Sequence, residues 1–141
     1  MSRSFDFRHA PGHLIRRAHQ KSVAVFMEET AGVDITPVQF AILNALLDAP
    51  GADQVTLAAR VSFDAATSGS VIGRLEAKGW VRRESDPDDR RRKLLWITPA
   101  GAQVARSLKR AATRAQQRML EGLDPAERAQ LVALLEKLTR G

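Results

Sequence analysis

The chain has 141 residues, which suits one domain able to bury its own core without disulfides. Lys and Arg number 22 against 16 Asp and Glu, a net charge of +6 that favours an anionic partner, nucleic acid first, over the plainer alternative of a basic soluble enzyme. The absence of Cys excludes thiol redox sensing and Cys-ligated metal centres, and the polar opening "MSRSFDFRHAPGH" carries no secretory pattern, so a cytoplasmic protein without a membrane span is expected.

Alanine and leucine are abundant and Tyr is absent, a mostly helical composition. Pro11 opens a first helix over about 11–31, ended by Gly32. "TPVQ" then sets Thr36 at the N-cap, Pro37 at N1 and Gln39 at N3, a capping box. It starts "TPVQFAILNALLD", whose Val38, Phe40, Ile42, Leu43, Leu46 and Leu47 are apolar nearly all round and predict a buried central helix. "QVTLAARV" is a short third helix. After a break at "SFD", Asp64 caps a fourth, "AATSGSVIGRLEAK", and Gly79 takes the left-handed position past its end. "WVRRE" and "KLLWIT" predict two strands around "SDPDDRRRK", whose Pro87 and aspartates are turn formers. Thr98 and Pro99 start a fifth helix that runs to about Glu121. Asp124, Pro125 and Glu127 repeat the capping logic and start a sixth, to about Thr139, bearing Leu131, Leu134, Leu135 and Leu138.

A short helix, a tight turn, a second helix and a hairpin make a winged helix-turn-helix. The fold class is therefore mainly α with a small β-hairpin wing, in a single domain over 1–141. The DNA-binding lobe spans 36–98, flanked by N- and C-terminal dimerisation helices over 11–31 and 99–141. Those terminal helices carry more apolar surface than the small central module covers, which predicts a homodimer.

The hairpin loop packs Asp86, Asp88 and Asp89 against Arg90, Arg91, Arg92 and Lys93. A basic hairpin tip suits a minor groove, where a narrow groove concentrates negative potential. Asp89 either pairs with a neighbouring arginine and orients it or accepts backbone N–H groups to cap the turn; Asp86 and Asp88 are read as turn formers. A solvated charged turn is the blander reading, and a calcium loop would need a Gly and a distal Glu that are missing. In the fourth helix, Thr67, Ser68 and Ser70 offer hydroxyls to phosphates or bases, and Arg74 lies one turn on from Ser70. Gly69 and Gly73 suit close approach to DNA or to another helix. Near the start of the first helix, His13, Arg16, Arg17 and His19 crowd together, a pattern that by itself reads as a solvated face at a dimer interface. Trp80 and Trp96 read as packing residues at the hairpin base. No nucleophile elbow, P-loop or dinucleotide pattern appears, so the chain reads as no enzyme, with no cofactor or metal.

From Asp64 onward, "DAATSGSVIGRLEAKGWVRRESDPDDRRRKLLWITPAG" resembles the MarR-type winged helix-turn-helix transcription regulators, through "RLEAKGWVRR", the "DPDDRR" wing and "ITPAG". The resemblance implies that the fourth helix enters the major groove, that the wing enters the minor groove, and that two chains pair through their terminal helices. It places the wing's aspartate–arginine pair on Asp89 and Arg91, with Arg90 beside them. Many relatives have a basic residue where this chain has Ser70, so base preference does not transfer. "HLIRRAHQ" resembles relatives that respond to aromatic carboxylates or their thioesters. The expectation is a homodimeric repressor of a pseudo-palindromic double-stranded operator, contacting DNA through Thr67, Ser68, Ser70, Arg74, Asp89, Arg90, Arg91 and Arg92. A small anionic or aromatic effector, held by His13, Arg16, Arg17 and His19, would release it. A ligand-independent architectural DNA-binding protein and a protein-interaction module are the alternatives.

Overall fold

The computed structural model describes residues 4–61 and 65–140, the side chains of the second stretch from Ser68 onward. The expected Asp64 cap and the "SFD" break lie outside the described residues. The helices are α1 (Pro11–Glu29), α2 (Pro37–Asp48), α3 (Gln54–Arg60), α4 (Ala65–Ala77), α5 (Pro99–Ser107), α6 (Lys109–Met119) and α7 (Pro125–Thr139). The strands β1 (Val81–Ser85) and β2 (Lys93–Ile97) lie between α4 and α5, and a 3-10 turn, Phe7–His9, precedes α1. Among the described residues, no helix is long and apolar enough to cross a membrane.

The chain divides into two compact units, Thr30–Arg110 on the one hand and Met1–Glu29 with Ala111–Gly141 on the other. In the central unit, α2 begins with the capping box read from "TPVQ": Thr36 Oγ1 accepts the Gln39 N–H and Gln39 Oε1 accepts the Thr36 N–H. Its Ile42, Leu43 and Leu46 are fully buried, with Ile35 before it, Leu57 of α3, Ile72 and Leu75 of α4, and Leu95 of β2. The α2, α3 and α4 helices and β2 thus each give at least one large aliphatic side chain to the core, the main source of its stability.

The hairpin pairs Val81 with Ile97 through Ser85 with Lys93, antiparallel. A short strap extends it. Gly51 donates its N–H to the Leu95 carbonyl at 2.9 Å and Ala52 accepts the Leu95 N–H at 2.9 Å, and Asp53 bridges Leu94. The chain entering α3 is therefore already part of the wing sheet. Gly51 has φ 80°, and a Cβ there would come within 2.7 Å of the Trp96 ring, so the strap needs glycine on two counts. Gly79, at φ 76°, closes α4 as "AKGW" predicts.

The α5 helix belongs to this central unit rather than with the C-terminal helices, where sequence alone groups it. Thr98 caps it by accepting the Gly101 N–H at 3.0 Å and donates its hydroxyl to the Gly79 carbonyl at 2.6 Å. A Cβ on Gly101 would lie 2.2 Å from the Trp80 carbonyl oxygen. The glycine of "TPAG" thus lets the first turn of α5 sit directly on the start of the hairpin. The expected single fifth helix is interrupted at Leu108. Ser107 donates its hydroxyl back to the Val104 carbonyl at 2.9 Å, a bond that bends helices, and the buried Leu108 follows in a flattened backbone with ψ −2°.

In the second unit, α1 ends at Glu29, short of Gly32, which does not take the left-handed backbone. Glu29 accepts Arg114 Nε at 3.0 Å and Arg118 Nη1 at 3.2 Å, and Arg118 Nη2 reaches Glu28 at 2.7 Å, tying α1 to α6. The hydrogen bonds from Arg114, then Arg118, hold the Glu29 carboxyl below its ordinary range. Asp124 and Glu127 form the expected capping box of α7. Along α7, Val132, Leu134, Leu135 and Leu138 are exposed, as are Leu14 and Ile15 on α1.

Candidate nucleic-acid interface

Which face of α4 is available follows from its spacing. Ser68, Ile72 and Leu75 recur at i, i+4 and i+7, one helical stripe, and all three are buried. Ser68 is only 3% exposed, and its Oγ accepts Gln54 Nε2 at 3.4 Å. It therefore packs toward α3 instead of presenting a hydroxyl outward, a correction to its expected place among DNA contacts. Its apolar register mates outvote its polarity. Ser70 and Arg74 lie on the exposed side. Thr67 falls within α4, but its side chain lies outside the described residues. Packing among the described residues does not demand the two interior glycines: a Cβ on Gly69 would make an ordinary 3.9 Å contact with Gln54, and one on Gly73 would meet none of them within 4 Å.

The wing loop is built by its carboxylates. Asp86 is 8% exposed; its N–H donates to the Arg92 carbonyl at 3.0 Å, and its Oδ1 accepts the Asp88 N–H at 2.9 Å. Asp89 accepts the Arg92 N–H on its backbone carbonyl at 2.9 Å. Its side-chain Oδ1 accepts both the Arg91 backbone N–H at 3.1 Å and Arg91 Nε at 3.3 Å. The two roles considered for Asp89, turn cap and orienter of an arginine, are thus filled at once. Arg91 remains 93% exposed, and Arg90 is exposed beside it.

Arg92 behaves differently. Its Nη2 donates to Asp53 at 2.9 Å and its Nη1 to Asp86 at 3.3 Å. Asp53 is also the N-cap of α3, accepting the Thr56 N–H at 2.9 Å and the Thr56 hydroxyl at 2.8 Å. Those two bonds and then the Arg92 guanidinium pull the Asp53 carboxyl down to about 2, and Asp53 in turn raises Arg92 above its ordinary value. A second arginine, Arg83 of β1, bridges Gln54 of α3 at 3.1 Å and Glu76 of α4 at 2.7 Å. Asp53, Gln54, Ser68, Arg83, Arg91 and Arg92 line a groove of about 310 Å³ between the wing and the helix-turn-helix. Asp53, Gln54 and Arg83 are not among the residues expected at the interface. The N-cap pattern of "DQVT" was available for Asp53, but pairing with a residue 39 positions away was not.

In the second unit, Phe5, Phe7, Ala10, Pro11, Gly12, His13 and Arg16 line an open concavity of about 620 Å³. The Phe7 ring meets the His13 ring edge-on at 5.3 Å. Of the expected cluster, His13 and Arg16 reach this concavity, whereas Arg17 and His19 are exposed outside it. At about 3.6 residues per turn, His19 lies about 120° round α1 from His13. Among the described residues no group of His, Asp and Glu is arranged to hold a metal.

Comparison with known proteins agrees with this architecture. The sequence profile of the MarR family matches residues 33–92. The chain is similar to the HTH-type transcriptional repressor NicR of Pseudomonas putida, at 30% identity over 95% of this chain and 85% of the relative. Among solved structures, it is similar to BpsR of Bordetella bronchiseptica, whose DNA binding is regulated by 6-hydroxynicotinic acid. That match has 34% identity and a TM-score of 0.91, covering 99% of each chain. It is also similar to a mutant of Escherichia coli MarR complexed with operator DNA, at 30% identity and a TM-score of 0.86, covering 97% of this chain and 99% of the other.

Proposed function

The chain belongs to the MarR family of transcriptional regulators, and from that premise we propose that it is a homodimeric, cytoplasmic repressor of a pseudo-palindromic operator, released by a small aromatic carboxylate. The observation that carries the DNA-binding part is the wing tip: Arg90 and Arg91 are exposed on a loop whose carboxylates are spent on shaping it. Permanently charged, weakly hydrated guanidinium groups suit phosphates and a narrow groove. Ser70 and Arg74 on the outer side of α4 supply the major-groove face. The exposed leucines of α7, with Leu14 and Ile15 of α1, supply the apolar surface for a second copy.

The effector reading rests on the concavity at the start of α1. Phe5 and Phe7 offer aromatic faces, His13 a hydrogen-bonding ring, and Arg16 a fork that matches a carboxylate. That BpsR responds to 6-hydroxynicotinic acid supports the same chemical class for this chain. A ligand that prefers the DNA-incompetent state by a few kcal/mol is enough to release DNA.

Fluorescence anisotropy on DNA from upstream of the gene tests the first part. Binding should weaken steeply with salt, and Arg91→Ala should lower affinity while the fold is kept; unchanged affinity at moderate salt would contradict it. Calorimetry with hydroxylated aromatic acids tests the second. Arg16→Ala should lose binding while operator affinity stays, and equal heats in parent and variant would reject it.

A further inference from the structure

We propose that Arg92 is a positioning residue, not a DNA contact: it clasps the wing loop to the start of α3, so that Arg90 and Arg91 are presented in one orientation. The inference rests on the DNA-binding reading above and replaces the expectation that Arg92 joins its neighbours in the groove.

Three observations converge on it. First, the Arg92 guanidinium is already divided between two carboxylates on different parts of the unit, Asp53 at the N-cap of α3 and Asp86 in the loop. Second, both acceptors are fixed. Asp86 is buried and held by the Asp88 N–H, and Asp53 by the Thr56 N–H and hydroxyl. A guanidinium between two anchored carboxylates has little reason to leave them for a phosphate. Third, the clasp closes a strap that is already part of the sheet, since Gly51 and Ala52 pair with Leu95 immediately before Asp53. Backbone pairing fixes the base of the wing, and Arg92 fixes its distal loop. Arg91, by contrast, is 93% exposed and, among the described residues, pairs beside itself, with Asp89.

Charge sign gives a decisive test. Asp53→Asn keeps an oxygen for the Thr56 N–H and so preserves the helix cap, yet removes the charge that Arg92 pairs with on α3. The protein becomes more positive, which by long-range electrostatics alone would tighten DNA binding. The clasp predicts the opposite. Asp53→Asn and Arg92→Ala should each weaken operator binding about tenfold, within the range seen for coupled neighbouring side chains, and the double variant should be no worse than either. The salt dependence of Arg92→Ala should match the parent, whereas loss of a phosphate contact would lower its slope by about 0.9. Tighter binding by Asp53→Asn, or a flattened slope for Arg92→Ala, overturns the proposal. Amide exchange in the DNA-free protein separates this from failure of the DNA reading. The Asp86 and Arg92 N–H groups, which donate within the loop, should exchange faster in both variants, while the core amides of α2 stay protected as in the parent. Unchanged exchange overturns the clasp whether or not DNA binds, while a parent protein that ignores DNA at low salt overturns the functional reading instead.

Discussion

The two units of this chain bury different kinds of side chain. The central unit hides Ile35, Ile42, Leu43, Leu46, Leu57, Ile72, Leu75 and Leu95 completely. In the terminal unit the buried positions of α6 are alanines, Ala111, Ala112 and Ala115, while the leucines of α7 stay in solvent, Leu134 at 60% and Leu138 at 64% exposure. One unit has a finished core; the other buries Val25 and Phe26 of α1 but leaves the leucines of α7 outside. The difference suggests a division of labour: the central unit folds around itself, and the terminal helices wait for a second copy.

Substitutions can break that comparison, and the largest effect should come from the finished core. Leu46→Ala should cost about 2–5 kcal/mol in chemical denaturation, because a packed site collapses only partly around a lost side chain. A loss within 0.5 kcal/mol, as at a surface position, would mean that the core is less tight than its burial implies. Next comes Leu134→Glu. It should leave the chain folded but raise the dimer dissociation constant by at least about 100-fold in sedimentation, since a charge would enter an apolar interface. Dimers of parental strength would remove α7 from the interface. Gly101→Ala should cost about 1–3 kcal/mol of stability, as its methyl meets the Trp80 carbonyl and α5 must shift.

The smallest effect is the pH response of the clasp. The Asp53 carboxyl is lowered from 3.8 to about 2, so its contribution to stability is complete above about pH 4 and lost as pH falls through 2. Carboxyl carbon shifts should place its midpoint near 2. Arg92→Ala should raise that midpoint while leaving it below 3.8, because the Thr56 bonds contribute most. A midpoint at 3.8 in the parent protein would show that Asp53 holds neither partner.

Local signals in the sequence carried far. The capping boxes at Thr36 and Asp124, the left-handed Gly79 and the two strands depend on local residue patterns, so the sequence exposes them; the Asp89–Arg91 pair follows from the family resemblance. Ser68 is polar, which points it outward, but its register places it with Ile72 and Leu75, and the fold buries it. Asp86 looked like one turn former among three; only the fold shows that it is buried against Arg92. The Arg92–Asp53 pair and the contact of Gly101 with Trp80 join segments distant in sequence, and no periodicity announces such meetings. At the start of α1, helical spacing brought His13 and Arg16 to one concavity and left His19 outside it.

The most direct test of the account is a footprint of the protein on the DNA upstream of its own gene. It predicts protection of one short inverted repeat, with two half-sites centred about 10 base pairs apart, as two recognition helices on one dimer require. Uniform, unphased protection of any duplex, equally strong on unrelated DNA, would contradict it.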